Sequence, residues 1–381
     1  MTPDRVLSVS FTIAAVTPNT KWSFIEIKTQ SGLSGVGEAS LVSPDEPLSL
    51  SASAMARRAL DLPHADPANW ADGHALGAMT DAAVYSAIDQ ALWDIEARRQ
   101  GVSVAALLAG GQAPRTRIPL YANINRRTDD RSPAGFADSA RRAVSAGFDA
   151  VKIAPFDDVV PGLETRRDLI AAIDRGLARC TAVREAIGAE RQLMVDCHWR
   201  FDEAGAETLM APAAQLGIYW VECPIPETPD HLPAIARLRA AANRHDMLLA
   251  GCEERTRIEG FAPFLKAGAY DVMMPDAKYA GGLQEMLRLA ALFETHGVGF
   301  SPHNPSGPVC HAASLQVCAA LAVSGRLEMQ FDETPIFTAL QAERLPAETG
   351  GGARVGAGPG LAVTLDPEEL AAHATTAWVL R

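Results

Sequence analysis

From about residue 118 onward, short β-rich apolar runs alternate with longer amphipathic stretches, the pattern of a parallel βα array. The runs are IPLYA (118–122), AVKI (150–153), QLMVD (192–196), IYWVE (218–222), MLLAG (247–251), DVMM (271–274), VGFS (298–301) and RLEMQ (326–330). Segments with apolar residues at helical spacing lie between them, among them 134–146, 257–267 and 283–296. Eight strands with seven intervening helices predict a closed barrel, because an open sheet would leave two unpaired edges. The first third reads differently, as α+β. KWSFIEIK (21–28) alternates like a half-buried strand, and GLSGVGE (32–38) turns into another. Those glycines lack a following Lys-Ser/Thr and a helix, so they read as hairpin glycines and not as a phosphate loop. Residues 81–100 predict one amphipathic helix, with Val84, Ile88, Leu92 and Ile95 on a face and Gly101 at the C-cap position. After Phe331 the rhythm stops, and a glycine-rich stretch (350–360) leads to a short tail. The expected division is an α+β unit at 1–116, a barrel at 117–335, and a segment at 336–381 that packs back on the first unit. PFDDVVPG (155–162) reads as a loop, not a linker.

Composition narrows the function classes. The chain is 48% hydrophobic and 21% charged, ordinary for a globular protein. It has no run of about eighteen apolar residues that would span a membrane and no basic-then-apolar start that would direct export; the cytoplasm is the expected location. A net charge of −12 argues against nucleic acid as a partner, since phosphates need a basic footprint. It leaves room for a small anionic substrate, because a bound divalent cation reverses the local field. The six cysteines (180, 197, 223, 252, 310 and 318) form no C-x-x-C pair and read as reduced, buried, small apolar residues.

Barrel enzymes place their chemistry at the C-terminal ends of strands. Read in order, those ends give Lys152, Asp196, Glu222, Glu253, Asp276, His303 and Glu328. Singly, each would be an exposed loop charge. Together they are costly in a barrel mouth unless they pair or hold a cation. Asp196, Glu222 and Glu253 are carboxylates on successive strands, a donor set that suits Mg²⁺. Cys197, Cys223 and Cys252 sit beside them, but adjacent strand residues point to opposite faces, so the thiols are expected to face the helices.

The motifs carry a resemblance. AIDQALWDIEARRQG (87–101) followed by LLAGG (107–111) resembles the N-terminal capping domain of the mandelate racemase subgroup of the enolase superfamily. VDCHWRFD (195–202), WVECPIP (220–226), LAGCEE (249–254), MPDAKYAGG (274–282), SPHNPSGP (301–308) and RLEMQ (326–330) resemble its metal, dyad and electrophile motifs, in order and over nearly the whole chain. The implied fold is a (β/α)7β TIM-like barrel with an N-terminal α+β capping domain completed by the C-terminal tail. Asp196 and Glu222 are 26 residues apart and Asp276 and His303 are 27 apart, as the subgroup leads one to expect. The gap from Glu222 to Glu253, 31 residues, is longer, which implies an insertion around 240–247 and keeps Glu254 as an alternative ligand. Counting back from Ala267-Gly268 favours Glu253.

The resemblance implies an enzyme that removes the proton α to a carboxylate with Mg²⁺, or Mn²⁺, at Asp196, Glu222 and Glu253. Lys152 would stabilise the enediolate beside the metal, and Glu328 would donate a hydrogen bond as a protonated acid, its pKa raised by burial or neighbouring charge. His303, oriented and made more basic by Asp276, would be the base. Racemases of the subgroup carry a second lysine two residues after Lys152; here that position is Ala154, which argues against two-base racemisation. Instead His198 follows Asp196 by two residues, resembling the subgroup's sugar-acid dehydratases, in which a second histidine protonates the departing 3-hydroxyl. The expected reaction is dehydration of a sugar acid to a 2-keto-3-deoxy acid, a hydro-lyase reaction. A cycloisomerase or epimerase on the same scaffold is the alternative, and a catalytically silent metal-binding relative is the alternative from another class. Loops at 17–22 and 43–47 are expected to cap the substrate, with Asn123, Asn125 and Asn304 as hydroxyl ligands. A homo-oligomer is expected by resemblance.

Overall fold

The computed structural model describes residues 3–71, 76–160, 165–345 and 350–381. The end of the predicted 155–162 loop, Pro161 and Gly162, lies outside the described residues.

The chain begins with an antiparallel meander, β1 (Val6–Ala15), β2 (Lys21–Thr29) and β3 (Ser34–Glu38). The helix Met79–Gln100 lies across it and ends at Gly101 in the left-handed conformation (φ +68°). The glycines of β3 do more than turn a hairpin. Gly32 makes the turn (φ +89°), but a Cβ on Gly35 or Gly37 would sit 2.1 Å from Ala91 O or 1.8 Å from Ala87 O. Only glycine lets the helix approach the sheet this closely. The helix was expected to be amphipathic, yet it is buried nearly all round. Its apolar residues face the sheet, while Asp89, Gln90 and Asp94 bond to the second half of the chain.

That half is built on eight parallel strands: β4 (Arg117–Asn123), β5 (Ala150–Ile153), β6 (Gln192–Asp196), β7 (Ile218–Glu222), β8 (Leu248–Gly251), β9 (Val272–Met273), β10 (Gly299–Phe300) and β11 (Leu327–Gln330). A helix follows each of the first seven. The hydrogen-bonded order is β10-β9-β8-β7-β6-β5-β4-β11. The remaining seam, between β10 and β11, has no ladder. It is joined by Gly325 N–H donating to Phe300 O (2.7 Å) and Ser301 Oγ donating to Arg326 O (2.6 Å). The expected closure is made by single bonds here.

Alternation inside the strands separates two faces. Tyr121, Ala150, Met194, Trp220, Ala250, Val272 and Met274 form one apolar cluster in the lumen. Their neighbours Leu120, Val151, Leu193, Val195, Val221, Leu249 and Met273 belong to the larger core between strands and helices. Beyond β11 come β12 (Gln341–Glu343), β13 (Gly352–Arg354), β14 (Thr364–Leu365) and β15 (Ala374–Leu380). β13 pairs antiparallel with the start of β4, and β15 pairs antiparallel with β1, so the chain's last strand is the edge of the first sheet. Among the described residues no helix is long and apolar enough to cross a membrane.

Buried polar side chains tie the first sheet and helix to the barrel. Glu38 accepts from Gly307 N–H (2.7 Å) and Cys310 N–H (2.9 Å) at the start of the helix Pro308–Ala320. Asp89 accepts from Leu283 N–H (2.7 Å) at the start of the helix Leu283–Thr295. Gln90 donates to Ala277 O (3.0 Å) and accepts from Glu38 N–H (3.0 Å). Burial pushes the Asp89 carboxyl up to about 7, the Leu283 bond notwithstanding. The folded protein therefore holds that proton while the unfolded chain releases it near the ordinary Asp value, so stability falls as pH rises through the window from about 4 to 7. Asp89→Asn keeps an acceptor for Leu283 and removes the titration. Its stability is expected to change less than the wild type's across that window, the difference in unfolding free energy reaching on the order of 4 kcal/mol at neutral pH. Parallel thermal melts from pH 4 to 8 read this directly, and coincident curves would refute it.

Candidate active site

The lumen alternation that buries Met194 and Trp220 brings Asp196 and Glu222 into the barrel two residues later, at the C-terminal ends of β6 and β7. Glu253 joins them just past β8. One oxygen from each of these three buried carboxylates lies within 4.8 Å of the others. Glu254 is exposed, so the cluster takes Glu253 of the two candidates. Such an assembly of negative charge cannot persist uncompensated. Burial, with Asp196 and Glu222 alongside, pushes Glu253 well above the usual carboxylate range. Burial raises Glu222 as well, to about 7, despite its Lys152 partner. Glu253 Oε2 is buried without a hydrogen-bond partner. Three hard oxygen donors and an orphaned carboxylate oxygen fit a divalent cation of the Mg²⁺ type.

Lys152, on β5, lies beside this group. Its ammonium bonds Glu222 Oε1 (2.7 Å) and Glu328 Oε1 (2.9 Å), and all three side chains are buried. Burial alone would lower the Lys152 pKa; the two carboxylates outweigh it and hold the amine charged. Glu328 completes this group from β11. It is surrounded by donors: Lys152, Asn123 Nδ2 (2.7 Å) and Asn304 N–H (2.9 Å). Burial pushes its carboxyl up, but Lys152, His303 and the Asn304 bond outweigh that and bring it down to about 2. In this arrangement both Glu328 oxygens accept hydrogen bonds. Asn304 is likewise committed. Its amide bonds Glu328 O, His311, Ser306 and Ser314, which leaves no atom of the side chain for a substrate hydroxyl. Asn123 and Asn125 are also engaged, with Glu328 and Arg131 respectively.

Two histidines flank the carboxylates. His303 Nδ1 lies 2.7 Å from Asp276 Oδ2, and its Nε2 lies 3.6 Å from Glu253 Oε2. His198 approaches Asp196 with both its backbone N–H (2.9 Å) and its Nε2 (2.9 Å), and Asp196 raises its pKa against the opposing effect of burial. His198 and Trp199 both have positive φ (+48° and +55°). A left-handed pair of non-glycine residues directly after a strand is costly and turns the chain sharply at the ligand. Sequence reading missed Lys278, although it lies two residues after Asp276. Its buried ammonium bonds Asp276 Oδ2 at 2.6 Å, so one oxygen serves both His303 and Lys278. Burial raises the Asp276 carboxyl, but Lys278 and His303 prevail and hold it below its usual value.

The six cysteines are unpaired and buried, and burial pushes the Cys180 and Cys318 thiols up to about 12. Burial raises Cys197, Cys223 and Cys252 as well, and among the described residues no cysteine joins a group of side chains close enough to share a metal ion. His64, Asp66 and Glu96 also lie within reach of one another. Asp4 N–H, however, donates to His64 Nδ1 (2.9 Å), which leaves the proton of the neutral ring on Nε2 and that nitrogen unable to ligate. The loop before β2 meets the barrel rim. Thr20 Oγ1 donates to Glu333, and Thr334 Oγ1 donates to Val16 O (3.2 Å).

Comparison with known proteins now decides the family. Residues 3–109 match the profile described as the mandelate racemase / muconate lactonizing enzyme N-terminal domain, and residues 135–370 match the one described as enolase C-terminal domain-like. The chain belongs to the mandelate racemase / muconate lactonizing enzyme family of the enolase superfamily. Family relatives include a D-galactonate dehydratase of Verminephrobacter eiseniae, 31% identical over 78% of this chain and 75% of that protein. A D-galactarolactone cycloisomerase of Agrobacterium fabrum is 34% identical over 75% of this chain and 72% of its own length. The crystal structure of a mandelate racemase/muconate lactonizing enzyme from Jannaschia sp. CCS1 superposes with a TM-score of 0.84 at 26% identity, covering 98% of both chains. The α/β barrel with its N-terminal capping unit is thus the family's fold in this chain, and the chain is an enzyme of the lyase type.

Proposed function

We propose that the protein is a Mg²⁺-dependent sugar-acid dehydratase that converts its substrate to a 2-keto-3-deoxy acid. The observation that carries this reading is the pair of histidines at one carboxylate cluster: His303 backed by Asp276, and His198 against Asp196. Asp196, Glu222 and Glu253 would hold the metal, which supplies positive charge for the substrate carboxylate as the α-proton leaves. His303 Nε2 takes the C2 proton, with Nδ1 anchored on Asp276 so that the ring cannot swing away. His198 gives a proton to the departing 3-hydroxyl; the negative charge of Asp196 keeps its imidazole ready to carry that proton. Lys152 holds Glu222 and Glu328 in place and adds a fixed cation beside the developing enediolate. Ala154, where racemases of the subgroup carry a second lysine, and the relatives named D-galactonate dehydratase favour dehydration over racemisation. The relative named D-galactarolactone cycloisomerase supports a second reading, a cycloisomerase that uses the same proton abstraction without loss of the 3-hydroxyl.

The test is incubation with Mg²⁺ and a panel of aldonic and aldaric acids and their lactones in D₂O, followed by proton NMR. A 2-keto-3-deoxy product from one acid is expected. Isomerisation of a lactone without water loss would replace the dehydratase reading with the second one. His198→Asn separates the steps: it is expected to keep C2 deuterium exchange while product formation falls by about 10² or more. Equal loss of both would remove His198 from the leaving-group step.

A further inference from the structure

Glu253 reaches the lumen in a way that Asp196 and Glu222 do not. Those two follow the strand alternation, two residues after Met194 and Trp220. On β8 the lumen residue is Ala250, so alternation would next turn residue 252 inward. Cys252 instead packs with the outer core, and the chain slips by one residue so that Glu253 enters. The slip is made at Cys252 itself, whose φ is +70°. A non-glycine residue in that region stays there only if its surroundings hold it.

The group that holds it is Glu227, from the loop after β7. Its carboxylate is buried on the outer side of β8, and its Oε1 accepts from Cys252 N–H at 2.7 Å and from Tyr270 OH at 2.8 Å. Cys223, another positive-φ residue (+44°) directly after Glu222, sets its Sγ 3.8 Å from the same oxygen. Arg255 Nε lies 3.6 Å from the other oxygen. A Cβ on Gly251 would meet Glu227 Oε1 at 2.5 Å and Tyr270 Cζ at 2.5 Å, so the space beside the strand admits the brace only because residue 251 is glycine.

We propose that Glu227 is a positioning residue: by bonding the Cys252 N–H it fixes the one-residue slip that delivers Glu253 to the metal carboxylates. This inference rests on the reading of Asp196, Glu222 and Glu253 as the metal site. Glu227 acts through the backbone of the ligand's neighbour and stands outside the group formed by Asp196, Glu222 and Glu253. Outer partners of ligands are typically worth about 10- to 100-fold in metal affinity.

The test is a Mn²⁺ titration of the full-length protein followed by electron paramagnetic resonance, for wild type and the variants Glu227→Asp, Glu227→Leu and Glu227→Gln. Glu227→Gln keeps an oxygen at the same reach and is expected to bind within about threefold of wild type. Glu227→Asp withdraws the acceptor by one methylene and is expected to lose about tenfold, with Glu227→Leu at least as weak. The aspartate variant serves if the leucine variant does not fold. Wild-type affinity in a folded Glu227→Asp would overturn the brace. Should the wild type itself bind no Mn²⁺, the metal reading falls, and the brace is then judged by the crystal structure of Glu227→Asp. Glu253 turned away from Asp196 and Glu222 supports it, and Glu253 unmoved refutes it.

Discussion

His303→Asn is expected to lower deuterium exchange at C2 of the substrate acid by about 10² to 10⁴ while leaving the protein folded and able to bind Mn²⁺. Position accounts for the expected loss. His303 Nε2 lies 3.6 Å from Glu253 in the carboxylate cluster, and its other nitrogen is anchored on Asp276, so the ring presents Nε2 toward that cluster. The expected tolerance of the fold has a separate cause. Asp276 is buried, and an aspartate whose only partner was His303 would be stranded by the substitution. Lys278 prevents this, because its ammonium bonds the same Oδ2 at 2.6 Å and its backbone N–H bonds Oδ1 at 2.7 Å. Asp276 therefore keeps its charge compensated in the variant. Exchange followed by proton NMR in D₂O, beside a thermal melt and a Mn²⁺ titration, separates chemistry from folding. Undiminished exchange in a folded, metal-binding variant would remove His303 from the reaction.

The barrel was legible because its strands alternate, and alternation fixes which residues share the lumen. IYWVE reads from its spacing alone as Trp220 and Glu222 on one face, and the structure places both there. The same rule misplaces the residues after β8, where the slip at Cys252 delivers Glu253 by a backbone conformation that no spacing announces. Glu253 was legible as the carboxylate just past a strand end, with the family spacing needed only to weigh it against Glu254, and Glu227, proposed to hold the slip, carries no motif of its own. Charge states were less legible than positions. Whether Glu328 carries a proton depends on Lys152 from β5, Asn123 from β4 and the Asn304 N–H, three groups far apart in sequence that converge on one carboxylate. The contacts of Glu38 and Asp89 with barrel helices were hidden for the same reason. Each is an ordinary acid in a local window, and its partner is a buried helix N-terminus more than 190 residues away.

Lys152→Met should be the most damaging single change to the site. It is expected to destabilise the metal-free protein by about 3 to 5 kcal/mol, and turnover is expected to fall by at least about 10². One ammonium is shared by Glu222 and Glu328 in a region where neither reaches solvent. Methionine fills much of the same volume and leaves both acids without their cation. Without it the Glu328 carboxyl loses the cation that holds it low and Glu222, already raised to about 7, is pushed up further, so the folded variant takes up protons. The lost stability is then recovered at low pH and grows as pH climbs through the raised values. The gap between wild type and variant should therefore be wider at pH 8 than at pH 5. Glu222 and Glu328 differ in the other groups that can help them. Glu222 shares the carboxylate cluster with Asp196 and Glu253, so added Mg²⁺ is expected to restore part of the stability at pH 8. Apart from Lys152, Glu328 has as donors among the described residues Asn123 and the Asn304 backbone, so the restoration should be incomplete. Urea unfolding at both pH values, with and without Mg²⁺, measures each contribution. A gap independent of pH and of metal would mean that Lys152 is not the charge on which these two acids depend.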